Sequence, residues 1–106
     1  MSTLYIVKDE NDTRKILSID ENGKKAFLDG RECGLTRQEY FLLRGLASHN
    51  DEAVSREVIL RNAWGFQLMG ETRTVDVHIQ RLRRKLGART IETVYRYGYR
   101  LCAEAV

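Results

Sequence analysis

The stretch TRTVDVHIQRLRRKL, Thr72 to Leu86, decides how the rest of the chain is read. At about 100° per residue, Val75, Ile79, Leu82 and Leu86 fall on one narrow apolar stripe, the pattern of a helix docked on a core. Arg73, Thr74, Val77, Gln80, Arg81, Arg84 and Lys85 fall on the other side. The segment carries five cations against the single acid Asp76. An ordinary solvated helix mixes signs to gain weak pairs one turn apart, so this excess points to an anionic partner. Val77 stands in the middle of the polar face, where an apolar side chain can meet a thymine methyl while arginines reach base edges or phosphates. Membrane-surface and calmodulin-type helices share the basic amphipathic pattern. This polar face lacks their bulky apolar insertion, and DNA reading is the better fit.

Charge is divided along the chain. Residues 1–54 hold 8 Lys/Arg against 10 Asp/Glu, whereas residues 55–103 hold 10 against 4. The positive field therefore belongs to the C-terminal half, where it can steer a polyanion and supply salt-dependent affinity. The 106 residues suffice for one domain with one modest core. Cys33 and Cys102 match no metal-ligand spacing, and reduced thiols in a cytoplasmic protein are expected. No apolar run approaches a membrane span, and Met1 to Asp9 lacks the features of a signal peptide.

Outward from the basic helix, the N-terminal runs Leu4–Lys8, Lys15–Asp20, Lys25–Asp29 and Glu32–Leu35 alternate between turn residues and predict a four-stranded antiparallel meander over 1–35. Thr36-x-x-Glu39 is a capping box, and Leu35 with Tyr40 forms a hydrophobic staple, so a helix begins at Thr36 and runs to about Ser48. Ser55 caps a second helix that ends at Trp64-Gly65. Three helices are thus expected within 36–86. Gly87 stops the third, and two β-rich runs around Arg96-Tyr97-Gly98 predict a hairpin over 90–102 with a cationic, aromatic tip. The fold class expected is α+β: a helix-turn-helix carrying a wing.

Several of these residues together resemble a known family. Leu35-Thr36-x-x-Glu39-Tyr40-x-Leu42-Leu43, Ser55-Arg56 with Trp64-Gly65, Arg73-Thr74-Val75-Asp76-Val77-His78-Ile79-x-Arg81-Leu82-Arg83-x-Lys85-Leu86, and Thr93-Val94 with Gly98-Tyr99-Arg100 are similar to the OmpR/PhoB effector domains of bacterial response regulators in two-component systems. The resemblance implies a winged helix-turn-helix that regulates transcription by binding double-stranded promoter DNA, usually as a head-to-tail pair on direct repeats. The third helix would lie in the major groove and the wing in the adjacent minor groove. Carried over, Val77, His78 and Arg81 would face base edges, and Arg73, Thr74, Arg83 and Arg84 would hold phosphates. Two residues keep a second reading: Arg83 as a salt-bridge partner of Asp76, and His78 as a packing histidine.

The chain departs from the family in three places. The wing reads Tyr95-Arg96-Tyr97 where the family has arginine, glycine and a variable residue, so Arg96 and Tyr97 are the wing candidates for DNA contact. The loop after Trp64 has Gln67, Leu68 and Met69 in place of the acidic residues through which the family reaches RNA polymerase. Phe66, Leu68 and Met69 make that loop the basis of an alternative, a winged-helix module that binds another protein. Finally, there is no room for the receiver domain that family members carry upstream, so the chain is expected to be either an excised effector domain or a stand-alone regulator.

An enzyme is not supported. His49 and His78 are the only histidines, neither stands in a catalytic spacing with Cys33 or a carboxylate, and no Gly-rich phosphate loop follows a strand. No catalytic residue, metal site or cofactor is expected.

Overall fold

The computed structural model describes residues 2–9, 11–49, 51–65 and 71–106. Strands β1 (Ser2–Lys8), β2 (Arg14–Asp20), β3 (Lys25–Leu28) and β4 (Arg31–Glu32) lead into helix α1 (Arg37–Ala47). Strand β5 (Val54–Ser55), helices α2 (Arg56–Trp64) and α3 (Arg73–Leu86), and strands β6 (Ile91–Val94), β7 (Gly98–Leu101) and β8 (Glu104–Ala105) follow. The loop residues Phe66, Leu68 and Met69 lie outside the described residues.

The meander forms in the expected order, but the sheet it belongs to has five strands, ordered β4-β3-β2-β1-β8. The chain returns after the wing and lays β8 antiparallel on β1, pairing Tyr5 with Ala105 and Ile6 with Glu104. Two exposed residues carry no hydrophobic period, which is why the sequence did not announce this strand. Strand β4 is also earlier and shorter than the expected Glu32–Leu35, because Asp29-Gly30 turns the chain at once into Arg31. One face of the sheet, bearing Tyr5, Val7, Leu17, Ile19 and Ala26, is buried in the core.

A second sheet, ordered β5-β7-β6, forms the wing. Its strand β5 is also a correction. Of its two residues, Val54 and Ser55, the second reads as a helix cap, and Ser55 Oγ does accept the Val58 N–H at 3.2 Å. The same two residues pair with Tyr99 and Gly98 of β7. The wing is therefore a third strand wider than a hairpin and is tied to the start of α2. Gly98 is required there, since a β-carbon at that position would run into the Val54 carbonyl.

The helix signals are realised in detail. Glu39 N–H donates to Thr36 Oγ1 at 3.2 Å, and Thr36 N–H donates to Glu39 Oε1 at 2.8 Å. The carboxylate of Glu39 is buried, and Lys85 reaches it from the last turn of α3 with Nζ 2.5 Å from Oε1 and 2.9 Å from the Gly34 carbonyl. One carboxylate thus caps α1 and clamps it to α3. Helix α3 starts without a side-chain cap at Thr72 and stops where Gly87, at φ 114°, gives its N–H to the Arg83 carbonyl at 2.7 Å.

Burial alone pushes the Glu39 carboxyl up, but the hydrogen bonds from Lys85 and Thr36 and the Lys85 charge outweigh it and leave it below the ordinary carboxylate value. A group with a depressed folded-state pKa contributes stability that is fully present above its unfolded value, about 4.3 for Glu. That contribution disappears as pH falls through the folded value. Urea midpoints followed from about pH 6 to about pH 3 are expected to fall less steeply in Glu39→Gln than in wild type, from a lower neutral-pH starting point. Parallel curves would show that the Glu39 clamp contributes nothing to acid sensitivity.

Candidate nucleic-acid interface

The apolar stripe of α3 is buried throughout: Val75, Ile79, Leu82 and Leu86 all lie in the core. With that side fixed, Val77 must face away, and it is 47% exposed. Arg73, Gln80, Arg81 and Arg84 are exposed around it. Among the described residues, none of these four side chains has a hydrogen bond or ion pair within the protein. Thr74 is half-buried beside them.

Other residues expected in the interface are held by the protein itself. The guanidinium of Arg83 donates from Nε and Nη2 to the Ile91 carbonyl at 3.0 and 2.8 Å, and from Nη2 to Thr93 Oγ1 at 2.9 Å. It braces β6 against α3, a structural role beside the phosphate role expected of Arg83. The pairing with Asp76 suggested as its alternative is also not formed; Asp76 binds Arg56 instead. His78 similarly turns back, with Nδ1 2.9 Å from the Thr74 carbonyl and its ring edge-on to Trp64 at 4.9 Å between centroids. Since a carbonyl only accepts, Nδ1 carries a proton in this contact. These are packing contacts, at the border of the buried stripe. Lys85, another of the five cations, belongs to Glu39. Three arginines, Arg73, Arg81 and Arg84, remain on the outer face of α3.

The helix and wing are joined by a network that the sequence did not reveal. Asp76 Oδ1 accepts from Arg56 Nε at 2.8 Å and from the Tyr99 hydroxyl at 2.5 Å. The Tyr99 ring lies between two guanidinium groups, with Arg56 and Arg83 each 5.5 Å from its centroid. Burial raises the Tyr99 hydroxyl, and its hydrogen bond to the Asp76 carboxylate and that group's charge raise it further, so it remains a donor. Helix α2, helix α3 and strand β7 therefore meet at one carboxylate. The wing carbonyl of Tyr97 also accepts the Arg56 N–H at 3.2 Å, satisfying an otherwise unpaired donor at the start of α2.

At the wing tip, Tyr97 N–H closes the turn onto the Val94 carbonyl at 2.9 Å. Arg96 occupies it with a left-handed backbone, φ 57°. An L side chain rarely adopts that conformation, which accounts for glycine at the corresponding place of the family motif. The Arg96 guanidinium covers the Tyr95 ring at 5.2 Å. Tyr95 is 80% exposed and Tyr97 50%. The tip therefore presents a cation over one exposed ring with a second exposed tyrosine next in the chain, and Tyr95, which the sequence reading left out of the site, is the more exposed of the two rings.

The family model described as "Transcriptional regulatory protein, C terminal" matches residues 30–101. The chain belongs to this family of OmpR/PhoB-type effector domains. Among curated relatives, this effector domain is 41% identical over 90 residues to the transcriptional regulatory protein ResD of Bacillus subtilis, a match covering 79% of the chain and 38% of ResD. It is 42% identical over 87 residues to CseB of Streptomyces coelicolor, covering 82% of the chain and 37% of CseB. The chain thus spans well under half the length of either relative. Among solved structures, it is similar to the Klebsiella pneumoniae RstA DNA-binding domain in complex with RstA box, with a TM-score of 0.72 and 33% identity over 80% of this chain and 89% of that one. The DNA-binding domain of CpxR from E. coli matches with a TM-score of 0.72 and 30% identity over 91% and 94%. These likenesses agree with the winged helix-turn-helix built above from the residues.

In this effector domain the Tyr99 hydroxyl is the link between wing and α3 that a single atom removes. Tyr99→Phe is expected to lower stability by about 1–2 kcal/mol, the worth of a hydrogen bond to a charged group, discounted because Asp76 is partly solvated. Urea unfolding measures it, and an unchanged midpoint would show that the contact to Asp76 is idle.

Proposed function

We propose that this domain binds double-stranded DNA and regulates transcription by reading sequence, with α3 in the major groove and the tip of the β6–β7 hairpin against the neighbouring minor groove. The observation that carries this reading is the outer face of α3: Arg73, Val77, Arg81 and Arg84 exposed together on a helix whose opposite side is locked in the core. A major groove about 12 Å wide accepts one helix, and an arginine there can donate two bonds to guanine. The A-form groove of RNA is too narrow for the same approach. The RstA structure named above contains its DNA box, which supports the same partner class for this chain.

Within this reading Arg81 and Val77 meet base edges, while Arg73, Thr74 and Arg84 lie toward the phosphates. Arg96, with Tyr95 and Tyr97 beside it, approaches the minor groove, where a cation is favoured by the negative potential. We place the domain in the cytoplasm, without enzymatic activity, pairing head to tail on direct repeats. The alternative protein-binding module depends on Phe66, Leu68 and Met69, whereas an RNA polymerase contact through this loop lacks the acidic residues that Gln67, Leu68 and Met69 replace.

Arg81→Ala is expected to cost about 1–3 kcal/mol on the preferred duplex and to relax sequence preference. Arg84→Ala should weaken all duplexes alike and reduce the slope of log affinity against log salt by roughly one unit. Fluorescence anisotropy titrations at several salt concentrations measure both. Equal losses for the two variants on preferred and random duplex would overturn the division into base and phosphate contacts.

A further inference from the structure

The rotation of α3 in the core ranks its outward residues. Taking the direction opposite the mean of Val75, Ile79, Leu82 and Leu86 as straight out, Val77 and Arg84 lie within about 10° of it and Arg73 within about 30°. Gln80 and Arg81 then lie about 50° to either side. Gln80 is exposed and, among the described residues, has no hydrogen bond within the protein. It is set as directly toward a groove as Arg81, but toward the opposite wall.

The two side chains differ in what they can recognise. A guanidinium only donates, which matches the two acceptors on the guanine edge. The amide of Gln80 offers a donor and an acceptor together, which matches the adenine edge, with its N7 acceptor and N6 donor. Val77 lies about one turn before both, and its side chain can meet a thymine methyl. Gln80 and Arg81 are separated by about 1.5 Å of helix rise, less than the roughly 3.4 Å between base pairs.

We propose that Gln80 is a specificity-determining residue that reads the adenine of an A·T pair, with Val77 against a thymine methyl, next to the G·C pair read by Arg81. This rests on the DNA-reading function above and deepens it, since it names the base composition of the site.

Selection from a random duplex pool with the 106-residue protein tests it. The wild type should enrich an adenine within about two pairs of the guanine whose enrichment Arg81→Ala abolishes. Gln80→Ala should flatten that adenine alone and lower affinity for the selected duplex about 5- to 150-fold, leaving the guanine enriched. Gln80→Arg should change the preference at that position from adenine to guanine, which loss of a merely structural side chain would not do. A Gln80→Ala pool identical to the wild-type pool would overturn the proposal and leave the DNA-reading function standing. So would a uniform loss across all positions, as for a phosphate contact. A wild-type pool with no sequence preference would overturn the function itself.

Discussion

Four buried side chains, Val75, Ile79, Leu82 and Leu86, fix the rotation of α3, and the surface that the molecule offers follows from that rotation. Burying an aliphatic side chain of this size is worth about 1.5–3 kcal/mol, so turning the helix by even one residue would exchange most of this gain for buried arginines. The same constraint that makes a core makes a reading head. Val77 is exposed because Val75 and Ile79 are not, and Arg73, Arg81 and Arg84 project together for the same reason.

Charge is then distributed by geometry rather than by count. Of the five cations on α3, Lys85 is drawn to the buried Glu39 and Arg83 to the carbonyl and hydroxyl groups of β6. Both lock helix to scaffold, one to the start of α1 and the other to the wing. Asp76, the single acid of the helix, does not neutralise its own arginines; it anchors Arg56 and Tyr99. Removing these groups from the outer face leaves a smaller and better defined set of donors, held at a set distance from the wing tip. On the proposed function, such preorganisation lets a helix and a hairpin engage two grooves at once without first being ordered.

Much of this was legible in the sequence. Periodicity gave the rotation of α3 correctly, because a helix with one apolar stripe has one way to dock, and the Thr36–Glu39 box marked its helix through local bonds that need no tertiary context. The resemblance to the effector-domain family is borne out by the match over residues 30–101. What the sequence could not display were contacts between distant segments. Strands β5 and β8 have two residues each, too few to show a period, and pair with strands far away in the chain. Spacing sets Arg83 on the flank beside the stripe and Arg84 outward, but it cannot show that the Ile91 carbonyl stands where Arg83 becomes a brace. His78 was readable either way, since it borders the buried stripe, and spacing could not show that its ring would meet that of Trp64.

The central claim, that the core-locked rotation of α3 creates the DNA-binding face, can be tested by NMR. Backbone and arginine side-chain shifts of the labelled protein would be followed during titration with a selected duplex. Perturbations concentrated at Arg73, Val77, Gln80, Arg81, Arg84 and the Tyr95–Tyr97 tip, with the outer face of the five-stranded sheet silent, are the predicted result. Perturbations centred on that sheet, with the arginines of α3 unmoved, would contradict the account.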